Sequence, residues 1–323
     1  MMATQISKIA VYSENLDMLR ELLGKAHQTG AEEVAVIYVG ESNPEAGEYG
    51  TWGANIVYSV ISPKLTEFNP ETYTDAITEV ISQAKPDLIL IGATKQGLEL
   101  SPRIAERLDL SYASFCVDFE LESKSQQVLA KCMIFSGIGV STYRLHTKPA
   151  MLSVAGGVFD AVDLPGNEVI LTPVSATIET PKLTIIEQKE KMIAGKRLED
   201  APVIIDIGQG FIEKDDVTMA DELAALLCGQ VSCSRPLSSE RDWFPEWIGL
   251  SGAQLSPDLC FTIGTSGAIQ HMIGIRGSKI IVSVNNDEYA GSHLQADYGV
   301  VTDLYEFLPS LIKVIKDRSI RIV

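Results

Sequence analysis

Along the first half of the chain, short, largely apolar runs alternate with stretches in which apolar residues return about every three to four positions. Ile6 to Tyr12, Val34 to Val39, Ile56 to Ile61 and Leu88 to Ile91 are runs of strand length. Because they lack polar alternation, they suit strands covered on both faces. Leu16 to Ala26 and Pro70 to Gln83 carry the helical period, and a further helix follows Gly92-Ala93-Thr94-Lys95-Gln96-Gly97 and ends near Leu108. This order predicts βαβ units and a parallel sheet. Glu41 to Ala54 is broken by Pro44 and several glycines and is expected to be irregular. Beyond Asp118 the period becomes two, in Phe119 to Leu121 and Val128 to Phe135, which predicts an antiparallel hairpin added to the sheet.

The second half restarts the pattern. Val203 to Ile207 reads as a strand leading into Gly208-Gln209-Gly210, followed by a helix from Asp215 to Cys228 and a short strand from Val231 to Cys233. After an irregular stretch come a strand from Leu259 to Ile263, a helix from Ala268 to Ile275 and a strand from Lys279 to Val284. Val300-Val301 is a last short strand and Leu304 to Ile315 a closing helix. Between about Ala176 and Ala201 the chain turns charged and weakly periodic, as in Glu187-Gln188-Lys189-Glu190-Lys191. A boundary is expected there, giving α/β domains over residues 1–195 and 196–323, with the charged run as a linker that permits rotation.

Composition changes this picture little but excludes several functions. A length of 323 residues exceeds what one core usually serves, so two domains are expected. A net charge of −17 argues against a binder of nucleic-acid backbones, which needs clustered Lys and Arg. No stretch offers roughly 18 uninterrupted apolar residues, and the N-terminus lacks a basic segment followed by an apolar one. No membrane span and a cytoplasmic location are therefore expected. The five cysteines form no C-x-x-C pair and are expected to be buried, reduced thiols rather than zinc ligands or disulfides.

Candidate chemistry gathers after the strands of the second half. Ser234-Arg235 follows the strand ending at Cys233, Gly264-Thr265-Ser266-Gly267 that ending at Ile263, Asn285 follows Val284 and Asp303 follows Val301. In an open parallel sheet such carboxyl ends collect ligands. A Gly-flanked Ser at a strand-to-helix turn lets backbone N–H groups face a pyrophosphate, with Gln270 and His271 in the first helical turn.

These residues, in order and spacing, resemble the FAD domain of electron-transfer flavoprotein α subunits. The likeness rests on Cys233-Ser234-Arg235-Pro236, Ile248-Gly249-Leu250-Ser251-Gly252, Gly264 through His271, Val284-Asn285-Asn286-Asp287, and Ala296-Asp297-Tyr298-Gly299 with Asp303. It is sharp from about Val203 to Leu311 and looser in the first half, where Gly92-Ala93-Thr94 through Pro102-Arg103-Ile104-Ala105 is also similar. The resemblance implies an α/β protein of two Rossmann-like parallel-sheet domains. The N-terminal one would dock a β subunit to form a heterodimer, and the C-terminal one would bind FAD. The implied function is an electron carrier rather than a classical enzyme. It would take electrons from a flavin dehydrogenase such as an acyl-CoA dehydrogenase and pass them to a second redox partner. Bifurcation between two acceptors is left open, since it would depend on a second flavin carried largely by the β subunit.

The resemblance also assigns roles. Ser234 and Arg235 would lie beside the flavin ring, where an ionised guanidinium stabilises negative charge. In the run Ile248, Gly249, Leu250, Ser251 and Gly252, the Ser251 hydroxyl would reach flavin N5. Ser266, Gly267 and Gln270, with Ala268 and Ile269 between them, would hold the pyrophosphate, and His271 would donate to flavin O2. Asn285, Asp303 and Leu304 would hold the ADP half, although Asp303 also suits a helix cap. Two departures remove positive charge. Gln209 stands where the family commonly has Arg, and Ala253 where it usually has Lys or Arg. Two other functions remain open on the residues alone, an NAD-dependent dehydrogenase and a non-redox nucleotide-binding subunit. Against the first, Gly208-Gln209-Gly210 is followed by Phe211, Ile212 and Glu213 with no third glycine.

Overall fold

The computed structural model describes residues 6–122, 127–135, 139–164, 166, 168–187, 198 and 201–318. The chain divides into two compact units, Met1–Gln188 and Lys189–Val323. The expected linker past Glu187 and the boundary between residues 195 and 196 lie outside the described residues.

In the first unit β1 (Lys8–Tyr12), α1 (Leu16–Gln28), β2 (Glu33–Gly40), α2 (Gly47–Thr51), β3 (Ile56–Ile61), α3 (Pro70–Ala84), β4 (Leu88–Gly92) and α4 (Lys95–Leu108) follow in turn. Polar side chains start the longer helices. Asn15 accepts from Met18 N, Asn69 from Glu71 N with Pro70 next to it, and Thr94 from Gly97 N. The chain continues through β5 (Tyr112–Leu121), β6 (Val128–Ile134), β7 (Gly139–Leu145), β8 (Ala150–Val154) and β9 (Ile170–Pro173). Together the strands form a sheet in the order β7-β6-β5-β8-β4-β1-β2-β3-β9. The centre is parallel, and β4 and β8 are buried at every residue, as strands between two helical layers must be. The expected antiparallel hairpin is β5–β6, extended by β7. The segment expected to be irregular contains one short helix, α2.

The second unit is a parallel sheet in the order β11-β10-β12-β13-β14. It is built from β10 (Val203–Ile207), α5 (Val217–Leu226), β11 (Gln230–Cys233), α6 (Arg235–Ser239), β12 (Leu259–Ile263), α7 (Ile269–Met272), β13 (Ile280–Asn285), β14 (Tyr298–Val301) and α8 (Leu304–Arg318). Both units are thus Rossmann-like in layer and strand direction. Val203, Ile205 and Ile207 of β10 pack with Leu223, Leu308 and Ile312 of α5 and α8. Ile204 faces the other way, onto Ile248, Leu255, Met272 and Ile275.

Two expectations are corrected. The helix expected over Ala268 to Ile275 is one turn, because the Gln270 carbonyl that would accept from Gly274 N is taken by Leu250 N at 2.7 Å. The chain then proceeds by tighter turns, Gly274 N to His271 O and Ile275 N to Met272 O. Of the cysteines, Cys116, Cys132, Cys233 and Cys260 are buried but Cys228 is exposed. It lies just past the end of α5 with φ of 55°, where the chain leaves the helix toward solvent.

Candidate functional site

The carboxyl edge of a parallel sheet collects the loops that follow its strands, and in the second unit four such loops meet. Ser234 and Arg235 leave β11, the turn from Gly264 to Ala268 leaves β12, Asn285 ends β13 and Asp303 follows β14. With the Trp247–Ser251 loop they enclose a cavity of about 870 Å³, the size of a cofactor site.

The turn after β12 is the most specialised part. Gly264 and Gly267 hold φ of 64° and 75°, and a Cβ on Gly267 would lie 1.8 Å from Ser292 N, so conformation and space both require glycine there. The Thr265 carbonyl is pinned from behind by Asn285 Nδ2 at 2.7 Å and Ser292 Oγ at 3.2 Å. Among the described residues, the backbone N–H groups of Thr265, Ser266, Gly267 and Ala268 donate to no acceptor. Four successive unpaired donors make a nest suited to an anion such as a pyrophosphate. A pyrophosphate-bearing cofactor therefore fits the residues present.

Of the expected residues, Ser234, Arg235, Ile248, Gly249, Leu250, Ser251, Ser266, Ala268, Gln270, His271, Asn285, Asp303 and Leu304 line the cavity. Gly252, Gly267 and Ile269 do not. Gly252 packs on Trp247, where a Cβ would come within 2.1 Å of the carbonyl oxygen. Asn285 spends its amide on the turn and accepts from Asp287 N at 3.0 Å. Asp303 Oδ1 accepts from Tyr305 N at 2.7 Å, which caps α8. Arg235 is the one Lys or Arg side chain in the lining, and no carboxylate pairs with it among the described residues.

Sequence reasoning missed several neighbours. Trp247 lies in the lining, its ring centroid 5.6 Å from the Arg235 guanidinium carbon, and its Nε1 donates to Ser251 Oγ at 3.3 Å. Tyr305 donates its hydroxyl to Asp216 Oδ2 at 2.6 Å and accepts from Ile212 N at 3.0 Å, which anchors the segment after Gln209. That hydrogen bond holds the Asp216 carboxyl below the usual carboxylate range.

The largest surprise is behind His271. Its Nε2 lies 2.7 Å from Oδ2 of Asp206, a fully buried residue of β10, and its Nδ1 lies 3.2 Å from the Ile248 carbonyl oxygen. The ring was expected to donate to flavin O2, yet both of its nitrogens already face acceptors in the protein. Burial disfavours the imidazolium, but the charge and hydrogen bond of Asp206, with the Ile248 carbonyl, outweigh it and raise the His271 pKa. The one signal in the sequence was an Asp inside the apolar run Val203 to Ile207.

Among the described residues no cluster of His, Cys, Asp or Glu could hold a metal, and no helix is long and apolar enough to cross a membrane. Known families match along the same division. The electron transfer flavoprotein domain matches residues 16–185, and the electron transfer flavoprotein FAD-binding domain matches residues 197–276. The electron transfer flavoprotein subunit alpha of Thermoanaerobacterium thermosaccharolyticum is 31% identical over 309 residues, covering 92% of each chain. Subunit LctC of the lactate dehydrogenase (NAD(+),ferredoxin) of Acetobacterium woodii is 30% identical over 324 residues, covering 95% of this chain and 77% of that protein. Protein FixB of Rhizobium meliloti is 30% identical over 315 residues, covering 92% of this chain and 88% of that protein.

Proposed function

The chain belongs to the electron transfer flavoproteins as an α-type subunit with an FAD-binding domain, and from that premise we propose that it carries electrons at FAD between a flavin dehydrogenase and a second redox partner. FAD supplies the reversible uptake and release of electrons when bound. The observation that carries the reading is the turn from Thr265 to Ala268, whose N–H groups are unpaired and of which Thr265, Ser266 and Ala268 line the wall of an 870 Å³ cavity. In this reading those groups, with Ser266 and Gln270, hold the pyrophosphate, and Gly267 sets the turn. Asn285, Asp303 and Leu304 hold the ADP half. Arg235, backed by Trp247, and Ser251 orient the flavin end. The N-terminal domain, taken as residues 1–195, docks a β-type subunit in a heterodimer, and the C-terminal domain, residues 196–323, carries the cofactor.

The dehydrogenase is an acyl-CoA dehydrogenase or another flavoenzyme. The likeness to LctC, whose name couples NAD(+) with ferredoxin, favours a variant in which electrons divide between two acceptors. The test is to purify the chain with and without a β-type subunit from the same source and to titrate FAD by fluorescence quenching. Saturable binding of one FAD by the α chain, with electron transfer from a reduced flavoenzyme only in the heterodimer, is expected. A folded chain that binds no FAD would defeat the reading.

A further inference from the structure

Within β10 the alternation of side chains points Asp206 to the same face as Ile204, toward Ile248 and α7. There it is in register with Thr262 of β12, whose hydroxyl donates to Asp206 Oδ2 at 2.8 Å. Thr262 in turn contacts Thr265 Oγ1 of the cofactor turn at 2.6 Å. Asp206 Oδ1 has no donor among the described residues. A carboxylate with no exposure requires a counter-charge, and His271 is the only cationic group within hydrogen-bond reach of it among the described residues. The ring meets acceptors at both ends, the Asp206 carboxylate at Nε2 and the Ile248 carbonyl at Nδ1. Only the doubly protonated ring can donate to both.

We propose that Asp206 is a positioning residue of the cofactor site, holding His271 as an imidazolium on the cavity wall at neutral pH. The proposal rests on the reading of this cavity as the FAD site. Asp206 lies inside the sheet and His271 in the lining, so the pair is a fixed dipole with its positive end toward the cavity. It gives a wall with one guanidinium, Arg235, a second cation without an exposed side chain. His271 is thereby reassigned from hydrogen-bond donor to the ligand to buried charge beside it. The other ionisable groups around the pair are the Cys233 thiol, which burial and then Asp206 push up to about 12, and the Cys260 thiol, raised by the same causes. On the cavity side lie Arg235, Asp287, Asp303 and Tyr305. Neither thiol is charged near neutrality, so a titration there reports His271.

The experiment follows ring protonation of His271 by ¹⁵N NMR of the FAD-free chain across about pH 5–9, beside FAD titrations over the same range. The wild-type ring is expected to stay doubly protonated through neutrality and to lose its proton only above the ordinary histidine value. In Asp206→Asn, which keeps the shape and removes the charge, burial acts without its counterweight. The ring should then be neutral at about pH 7, and FAD should bind about tenfold more weakly, the scale of losing one nearby counter-charge to its diphosphate. A wild-type ring that is neutral at pH 7 overturns the proposal, and so does an Asn variant whose ring titrates as in wild type or whose FAD affinity is unchanged. If the variant does not fold, the wild-type titration still decides. If FAD does not bind to wild type, the cofactor reading fails while the ring's protonation separately tests the pair.

Discussion

Asp303 starts α8 and lines the cavity at once, so its removal separates two kinds of contribution. Its Oδ1 accepts from Tyr305 N, and its carbonyl accepts from Glu306 and Phe307. Loss of a cap costs about 1 kcal/mol whether or not a ligand is present. For Asp303→Ala the expected outcome is that loss in FAD-free protein and a larger one in FAD-loaded protein, both read by denaturant unfolding. Equal losses would leave the cap as its whole role. Asp303, Arg235 and Asn285 were legible because each follows an apolar run that ends at the sheet edge. Asp206 was not, since its partners His271 and Thr262 are brought to it by strand register rather than by sequence proximity. The register also shows what a pattern search would need. Ser232, Asp206, Thr262 and Ser283 form one polar row across four neighbouring strands, each lying near the carboxyl end of an otherwise apolar run.

Among elements, most central strands were readable because burial on both faces leaves a largely apolar run, as in β4 and, apart from Asp206, β10, whereas β8 was missed although it is buried at every residue. α7 was overestimated because periodicity cannot register the Leu250 N–H that takes a helical carbonyl. β7 and β9 were missed for the opposite reason, being largely exposed and so carrying no buried pattern. β7 is an edge strand on which Val140 is 61% and Tyr143 46% exposed, with Phe135 nearby at 77%. An unpaired apolar edge invites strand-to-strand association. The chain purified alone is expected to self-associate as its concentration rises, and Val140→Lys to suppress this in sedimentation velocity. Association that is indifferent to the substitution would locate it elsewhere.

At the scale of the whole molecule, each unit has its own sheet and buried clusters, so heat should unfold them in separable steps. FAD at about a hundred times its dissociation constant stabilises the state that binds it by roughly 2.7 kcal/mol. Calorimetry is therefore expected to show two transitions, of which FAD raises only the one belonging to the second unit. A single transition, or two that move together, would mean that the units unfold as one. The chain as a whole is strongly acidic at −17, yet the cavity proposed to take a diphosphate contains one free guanidinium. Anion binding there is left largely to main chain, and this has a consequence for genetics. A side-chain scan of the Gly264 to Ala268 turn could remove the Ser266 hydroxyl but none of the main-chain donors, because every amino acid other than proline brings the same N–H. The turn would show up instead as positions where substitutions fail by shape, with Gly267 admitting nothing larger than hydrogen.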